Sequence, residues 1–319
     1  MTLVTFSLGL FFIIKGGGVL VRAALSINRV TGVSNIIIGA TFVAVATTLP
    51  EVFVTIFAVA AGNHGIAVGN AIGSMIANVA LVLAISLLFM PNIVRRGEVI
   101  SKTLFLLIAT VVLFLFSLNL RITWLEGLIL LVAFLLFLLY TLKESKPTGL
   151  CPPSPPVEQS CRKIWLKIIA GFFIGQIMLI AGAFALVENG ERLAHIFGIS
   201  ETVIGFTIIA VGTSLPELTT VIQSLRHKSG GLAVGNIIGA NIINVTLLFG
   251  VSALIGDIRG ESLPVSRETV FIAIPVLLVM TLIAVVPLLV KGRTYRWQGA
   301  LLLVTYAAYI TYLMLAQPL

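Results

Sequence analysis

A chain of 319 residues that is 59% hydrophobic and only 10% charged, with a mean hydropathy of +1.14, is not a water-soluble globule. Its net charge of +8 does not point to nucleic acid, because the basic residues collect in the short breaks between apolar runs. Those runs, at roughly 18–25 residues, are long enough to cross a bilayer as helices and too long for the strands of an outer-membrane barrel.

Ten such segments are predicted, near residues 3–25, 34–62, 66–90, 101–119, 122–142, 163–187, 200–226, 232–255, 267–290 and 296–316. The first has no basic region before it, carries Lys15 inside it, and lacks a small-residue cleavage pattern, so it reads as a transmembrane helix rather than a leader. Between the fifth and sixth lies KESKPTGLCPPSPPVEQSCRK, Lys143 to Lys163, the one long polar and proline-rich stretch. It reads as a cytoplasmic linker joining a first unit, 1–142, to a second, 164–319. Cys151 and Cys161 fall in it and read as free thiols, since two cysteines with no histidine nearby do not make a zinc site.

The charge distribution orients the chain. With the N-terminus outside, the inner breaks hold 15 Lys and Arg residues and the outer breaks only Arg121, Arg192, Arg259 and Arg267. A bias of this kind places the basic side in the cytoplasm. The expected setting is therefore the cell (plasma or inner) membrane, multi-pass, with both termini outside and lipid as the surrounding partner.

The two units share their sequence. GATFVAVATTLPE at Gly39–Glu51 returns as GFTIIAVGTSLPE at Gly205–Glu217, and VGNAIGSMIANV at Val68–Val79 returns as VGNIIGANIINV at Val234–Val245. Both pairs align at one offset of 166 residues without a gap, so the duplicated unit is long; its signatures span 39–79 and 205–245. Five helices per copy is an odd number, which turns the second copy over in the membrane. The expected fold is all-α, with ten transmembrane helices as two inverted-topology five-helix repeats, an architecture common among secondary transporters.

Each copy buries one glutamate, Glu51 or Glu217, directly after a proline. An acidic side chain at a helix centre costs about 2.5–3.5 kcal/mol on a translocon scale, so two at matching positions call for a shared use. Pro50 and Pro216 lack an amide hydrogen and should break the helix, freeing carbonyls near Ala46 and Gly212. Thr47 and Thr48 stand four and three residues before Glu51, and Thr213 and Ser214 stand likewise before Glu217. The next helix offers Ser74 and Asn78 in one copy, and Ala240 and Asn244 in the other. All these donors are oxygen types, which suit hard cations such as Ca²⁺. His64, His195 and His227 are expected in loops, and no HExxH or intramembrane histidine–cysteine cluster is present, so no enzyme is expected. Gly69, Gly73, Gly235 and Gly239 are expected to let the asparagine helices approach the glutamate helices.

The doubled pattern G-x-T-x-x-A-x-[AG]-T-[TS]-L-P-E followed by G-N-x-I-G-x-x-I-x-N resembles the two alpha-repeats of the sodium/calcium exchanger family, within the cation/Ca²⁺ exchanger superfamily, in its prokaryotic form. The resemblance implies ten helices with the second, third, seventh and eighth around a central site. It implies that Glu51 and Glu217 coordinate Ca²⁺ with the backbone oxygens of Thr47 and Thr213. Neighbouring Na⁺ positions would use the same glutamates with the Ala44 carbonyl, Thr48 and Ser74 on one side, and the Ala210 carbonyl, Thr213 and Ser214 on the other. The first helix of each half would slide across this core. Two departures stand out: Ala240 where better-known members carry serine, and Asn244 where many carry aspartate. The implied activity is exchange of Ca²⁺ for Na⁺ across the membrane by alternating access, with H⁺ as the alternative driving ion. The transported ions would be the only small partners, with no cofactor and no nucleic acid, and a monomer would suffice as the transport unit.

Overall fold

The computed structural model describes residues 2–90, 96–145, 155–196 and 210–315. In chain order these form α1 (Thr2–Thr31), α2 (Asn35–Thr47), α3 (Leu49–Ala60) and α4 (His64–Phe89). Helices α5 (Arg96–Ser117), α6 (Trp124–Glu144) and α7 (Pro155–Ile196) follow. The remainder is α8 (Ala210–Thr213), α9 (Leu215–Arg226), α10 (Gly230–Ile258), α11 (Thr269–Lys291) and α12 (Arg296–Leu315). Among the described residues eight helices are long and apolar enough to span a membrane, and the bent pair α2–α3 makes a ninth. The seventh predicted segment lies outside the described residues up to position 209, and from Ala210 onward it forms α8 and α9.

Helix ends follow local chemistry. The stretch read as a linker as far as Lys163 is shorter than expected, because α7 already begins at Pro155. A proline in the first turn of a helix has no amide partner to lose, so Pro155 and Pro156 open a helix here. Positions 146–154 of that stretch, Cys151 included, lie outside the described residues, and Cys161 falls on α7. His195 also falls on α7 instead of in a loop, while His64 opens α4. Glu126 acts as a cap: it accepts from the Thr123 backbone N–H at 2.7 Å while Thr123 Oγ1 accepts from the Glu126 N–H.

Burial separates an inner set of helices from an outer one. In α4 and α10, 72% and 83% of the most apolar stretch is buried, against 22% in α6, α12 and the Lys163–Gly182 part of α7. The outer helices turn large apolar side chains such as Ile108, Phe173, Ile177 and Val304 away from the protein, as a bilayer requires. The inner contact is made backbone to backbone. Gly235 and Gly239 of α10 lie against Ile36, Ala40 and Ala44 of α2, so close that a Cβ at either would overlap the α2 main chain. Removing the side chain lets two membrane helices meet at this distance, and the pairing joins α10 to the helix preceding Glu51.

At the periphery α1 and α7 run antiparallel. A Cβ at Gly182 would sit 2.7 Å from the Gly9 carbonyl oxygen, and one at Gly175 would sit 3.0 Å from that of Gly16. These four glycines are themselves matched at the 166-residue offset, 9 with 175 and 16 with 182. Gly17 of α1 presses against Thr219 of α9 on the other side. Two short strands, β1 (Arg121–Ile122) and β2 (Leu263–Pro264), pair antiparallel with Arg121 opposite Pro264 and Ile122 opposite Leu263. No apolar periodicity announces so short a ribbon.

Candidate functional site

The two helix breaks are built alike. Thr48 at φ −84°, ψ −2° and Ser214 at φ −81°, ψ 0° each cap a new helix whose second residue is proline. Around the first, the Thr48 N–H still reaches the Ala44 carbonyl at 3.0 Å and the Val52 N–H reaches the Thr48 carbonyl at 3.0 Å. Pro50 offers nothing to Ala46, and the axes of α2 and α3 differ by 45°. Each break puts its glutamate in the first turn of the new helix, and Glu51 and Glu217 are both wholly buried.

The break also redirects the hydroxyls. Helical spacing alone aims Thr47 and Thr48 at Glu51; in the structure they serve the other half. Thr48 Oγ1 donates to Glu217 Oε1 at 3.2 Å, and Thr47 Oγ1 donates to Asn236 Oδ1 at 3.1 Å. The opposite half reciprocates: Thr213 Oγ1 donates to Asn70 Oδ1 at 3.3 Å and lies 3.3 Å from Ser74 Oγ, and Thr213 and Ser214 border Glu51. Glu51 and Glu217 are within electrostatic reach of each other, so all these groups surround one place. The Ala44 carbonyl belongs to the first-half wall, accepting from Thr48 and, at 3.4 Å, from the Thr47 hydroxyl. Ala210 is the first described residue of α8, one turn before Thr213.

The asparagines complete the wall. Asn78 opens a π-helical stretch of α4, Asn78–Leu83, and Asn244 sits in the matching stretch of α10, Ile243–Leu248. A π turn widens the helix locally and shifts which side chains face inward. Asn78 Nδ2 donates to Asn241 Oδ1 at 3.1 Å, and Asn241 Nδ2 donates to the Met75 carbonyl at 3.3 Å. Asn244 is wholly buried.

Four residues at the site go beyond those read from the sequence: Asn70, Asn236, Asn241 and Thr55. Asn70 is the most connected of them. Its amide donates to the Glu51 carbonyl at 3.2 Å and to Thr55 Oγ1 at 3.1 Å, while its oxygen accepts from Thr213. It thereby fixes the Glu51 helix to both its own half and the other. The signal was present, because an asparagine follows the first glycine of each GxxxG, but a single amide among apolar residues does not distinguish itself from packing.

Buried polar atoms are nearly always paired, so exceptions locate what the wall is shaped to receive. Both oxygens of Glu51, Glu217 Oε2, Ser214 Oγ, Asn78 Oδ1 and Asn244 Oδ1 take no hydrogen bond from the protein. Two carboxylates and several neutral oxygens, buried and without a protein partner, form a donor set for a hard cation and a poor one for an anion or a soft metal. Among the described residues no cluster of three or more His, Cys, Asp or Glu side chains exists, so the charge of the site is that of two carboxylates.

Comparison with known proteins identifies the family of the chain. A family model described as sodium/calcium exchanger protein matches residues 1–143 and 167–315. The chain is 32% identical to an uncharacterized membrane protein of Methanocaldococcus jannaschii, over 94% of each chain. It is 28% identical to the sodium/calcium exchanger MaX1 of Methanosarcina acetivorans, over 96% of each. A solved structure of the sodium-calcium exchanger NCX_Mj, soaked with Na⁺ and Ca²⁺, superimposes with a TM-score of 0.82 at 31% identity, covering 97% of both chains. With the family matched across nearly the whole chain, this multi-pass membrane protein belongs to the sodium/calcium exchanger protein family.

Proposed function

We propose that the protein is a secondary antiporter that moves Ca²⁺ against Na⁺ by alternating access, with Glu51 and Glu217 as the shared ligands of both ions. The observation that carries this reading is the pair of buried carboxylates, contributed by opposite halves, with three of their four oxygens unbonded to protein. A site with charge near −2 is costly to carry across the membrane unfilled, so the chain should change orientation only when cations neutralise it. That condition couples the two fluxes. Thr47, Thr48, Thr213, Ser214, Ser74, Asn78 and Asn244, with the Ala44 and Ala210 carbonyls, supply the neutral oxygens. The antiparallel α1–α7 contact, with its matched glycines, supports two inverted five-helix repeats, and the basic excess supports a cytoplasmic face opposite both termini.

A second reading, exchange of Ca²⁺ for H⁺, draws on two residues. Ala240 brings no hydroxyl where Ser74 stands in the first half, and Asn244 brings an amide in place of a third carboxylate. The first removes a Na⁺ ligand and the second a negative charge, while the two glutamates, which can bind protons, remain. The deciding experiment is ⁴⁵Ca²⁺ uptake into Na⁺-loaded proteoliposomes, with Glu51→Gln and Glu217→Gln beside the unsubstituted protein. Uptake that requires internal Na⁺ and drops to background in both variants is the expected result. Uptake driven only by a pH gradient would replace Na⁺ with H⁺, and uptake surviving both substitutions would remove the site.

A further inference from the structure

The contact between α1 and α7 opens steadily toward one end. A Cβ would lie 2.7 Å from the opposing backbone at Gly182 and 3.0 Å at Gly175, but at Gly171 its nearest neighbour, the Ala23 Cβ, is 3.5 Å away. Beyond Gly171 the helices part around a cavity of about 440 Å³. Its walls are apolar, from Val30, Ile164 and Ile168, and its charged groups are Arg22, Arg29 and Lys167. Among the described residues no carboxylate lines it, and none of these three cations forms an ion pair. Arg22 lies seven residues, about 10 Å, further along α1 than Arg29 toward the glycine crossing. The cleft therefore carries positive charge at two depths between apolar walls.

We propose that this cleft binds an anionic phospholipid of the leaflet on the basic side, with its phosphate held by Arg22, Arg29 and Lys167 and an acyl chain along the apolar walls. Basic pockets between transmembrane helices recognise anionic headgroups by charge and tolerate the attached chains by apolar contact. A soluble phosphate would satisfy the cations but leave the apolar walls unmatched. Occupancy would wedge α1 and α7 apart at one end only, beyond the glycine crossing. The inference does not depend on which ion drives exchange.

Trp165 does not line the cleft, but it follows Ile164 on α7 and is 39% exposed, which makes it a reporter of lipid held next to that face. Trp124→Phe and Trp297→Phe leave it as the sole tryptophan. In vesicles, quenching of Trp165 by brominated phosphatidylglycerol is compared with quenching by brominated phosphatidylcholine. The expected preference for the anionic lipid is about a hundredfold, since three basic residues line the cleft and each near a membrane surface contributes roughly fivefold. Arg22→Gln, Arg29→Gln and Lys167→Gln together should abolish that preference. Neutralising Lys291, Arg293 and Arg296 instead should leave it intact, as should the exchange of Arg22 and Arg29 for Lys and Lys167 for Arg. Should the triple variant fail to fold, Arg29→Gln alone should lower the preference several-fold. Equal quenching by the two lipids in the unsubstituted cleft, or a preference that survives its neutralisation in folded protein, would overturn the proposal. Displacement by soluble glycerol 3-phosphate would overturn the assignment to a lipid.

Discussion

Thr55 and Val221 occupy matching positions in the two copies, and that difference separates the two amides beside them. Thr55 accepts from Asn70 Nδ2, whereas Asn236 Nδ2, the matching amide, is buried without an acceptor. Val221→Thr supplies the missing hydroxyl in nearly the same volume and should stabilise the protein by about 1 kcal/mol. Thr55→Val removes one of two acceptors and should cost about the same. Thermal unfolding in detergent should therefore shift in opposite directions for the two variants; equal shifts would show that the amides do not matter. At this scale the sequence exposed the residues whose burial is most expensive. Two intramembrane carboxylates stand out in any apolar run, while Asn70 and Asn236 cost less to bury and stand out less. Pairing across the halves was hidden for a different reason: i, i+4 arithmetic assumes one continuous helix, and Thr48 and Ser214 break it.

Helix α11 shows how an element repairs its own defect. Pro287 sits inside it, so the Ile283 carbonyl loses its usual amide partner. Gln298 of α12, wholly buried, donates through Nε2 to the Ile283 carbonyl at 2.7 Å and to that of Ala284 at 2.9 Å. Its oxygen accepts from the Tyr295 N–H at 2.7 Å, which holds the amide in orientation. Gln298→Leu keeps the volume but leaves the Ile283 carbonyl and the Tyr295 N–H without these partners, and should lower stability by about 1–3 kcal/mol. Denaturation midpoints in detergent test this, and an unchanged midpoint would mean that the carbonyls find other partners. Apolar run length located the helices, because crossing a bilayer demands it. The π-helical stretches at Asn78 and Asn244 left no such mark, since one extra residue in a turn hardly changes composition or period. Proline context misled at α7, where the same residue type that ends helices also opens them.

For the molecule as a whole, the missing hydroxyl at Ala240 bears on charge balance. Exchange of three Na⁺ for one Ca²⁺ moves one net charge, worth about 2.3 kcal/mol per 100 mV, while two Na⁺ move none. If Ala240 deprives one Na⁺ position of a hydroxyl ligand, as the proposed site implies, exchange should carry little current. Recordings from proteoliposomes on a solid-supported membrane check this, and a robust current that scales with Na⁺-driven Ca²⁺ flux would contradict it.

The small ribbon of β1 and β2 has a further consequence at this scale. The positions matched to Arg121 and Ile122 are Pro287 and Leu288, and these lie inside α11, so the ribbon has no twin in the duplicated plan. Nearby on the chain, Arg259 holds the Ala60 carbonyl and His64 meets Glu261 at 3.6 Å, adding fasteners to the same loop. A transporter whose halves were true copies would rest with equal weight in its two orientations, each the mirror of the other in energy. One-sided fasteners remove that degeneracy. Each 1.4 kcal/mol by which they favoured one orientation would tilt the resting population tenfold, so under the proposed alternating access the duplicated machine would carry a built-in idle position.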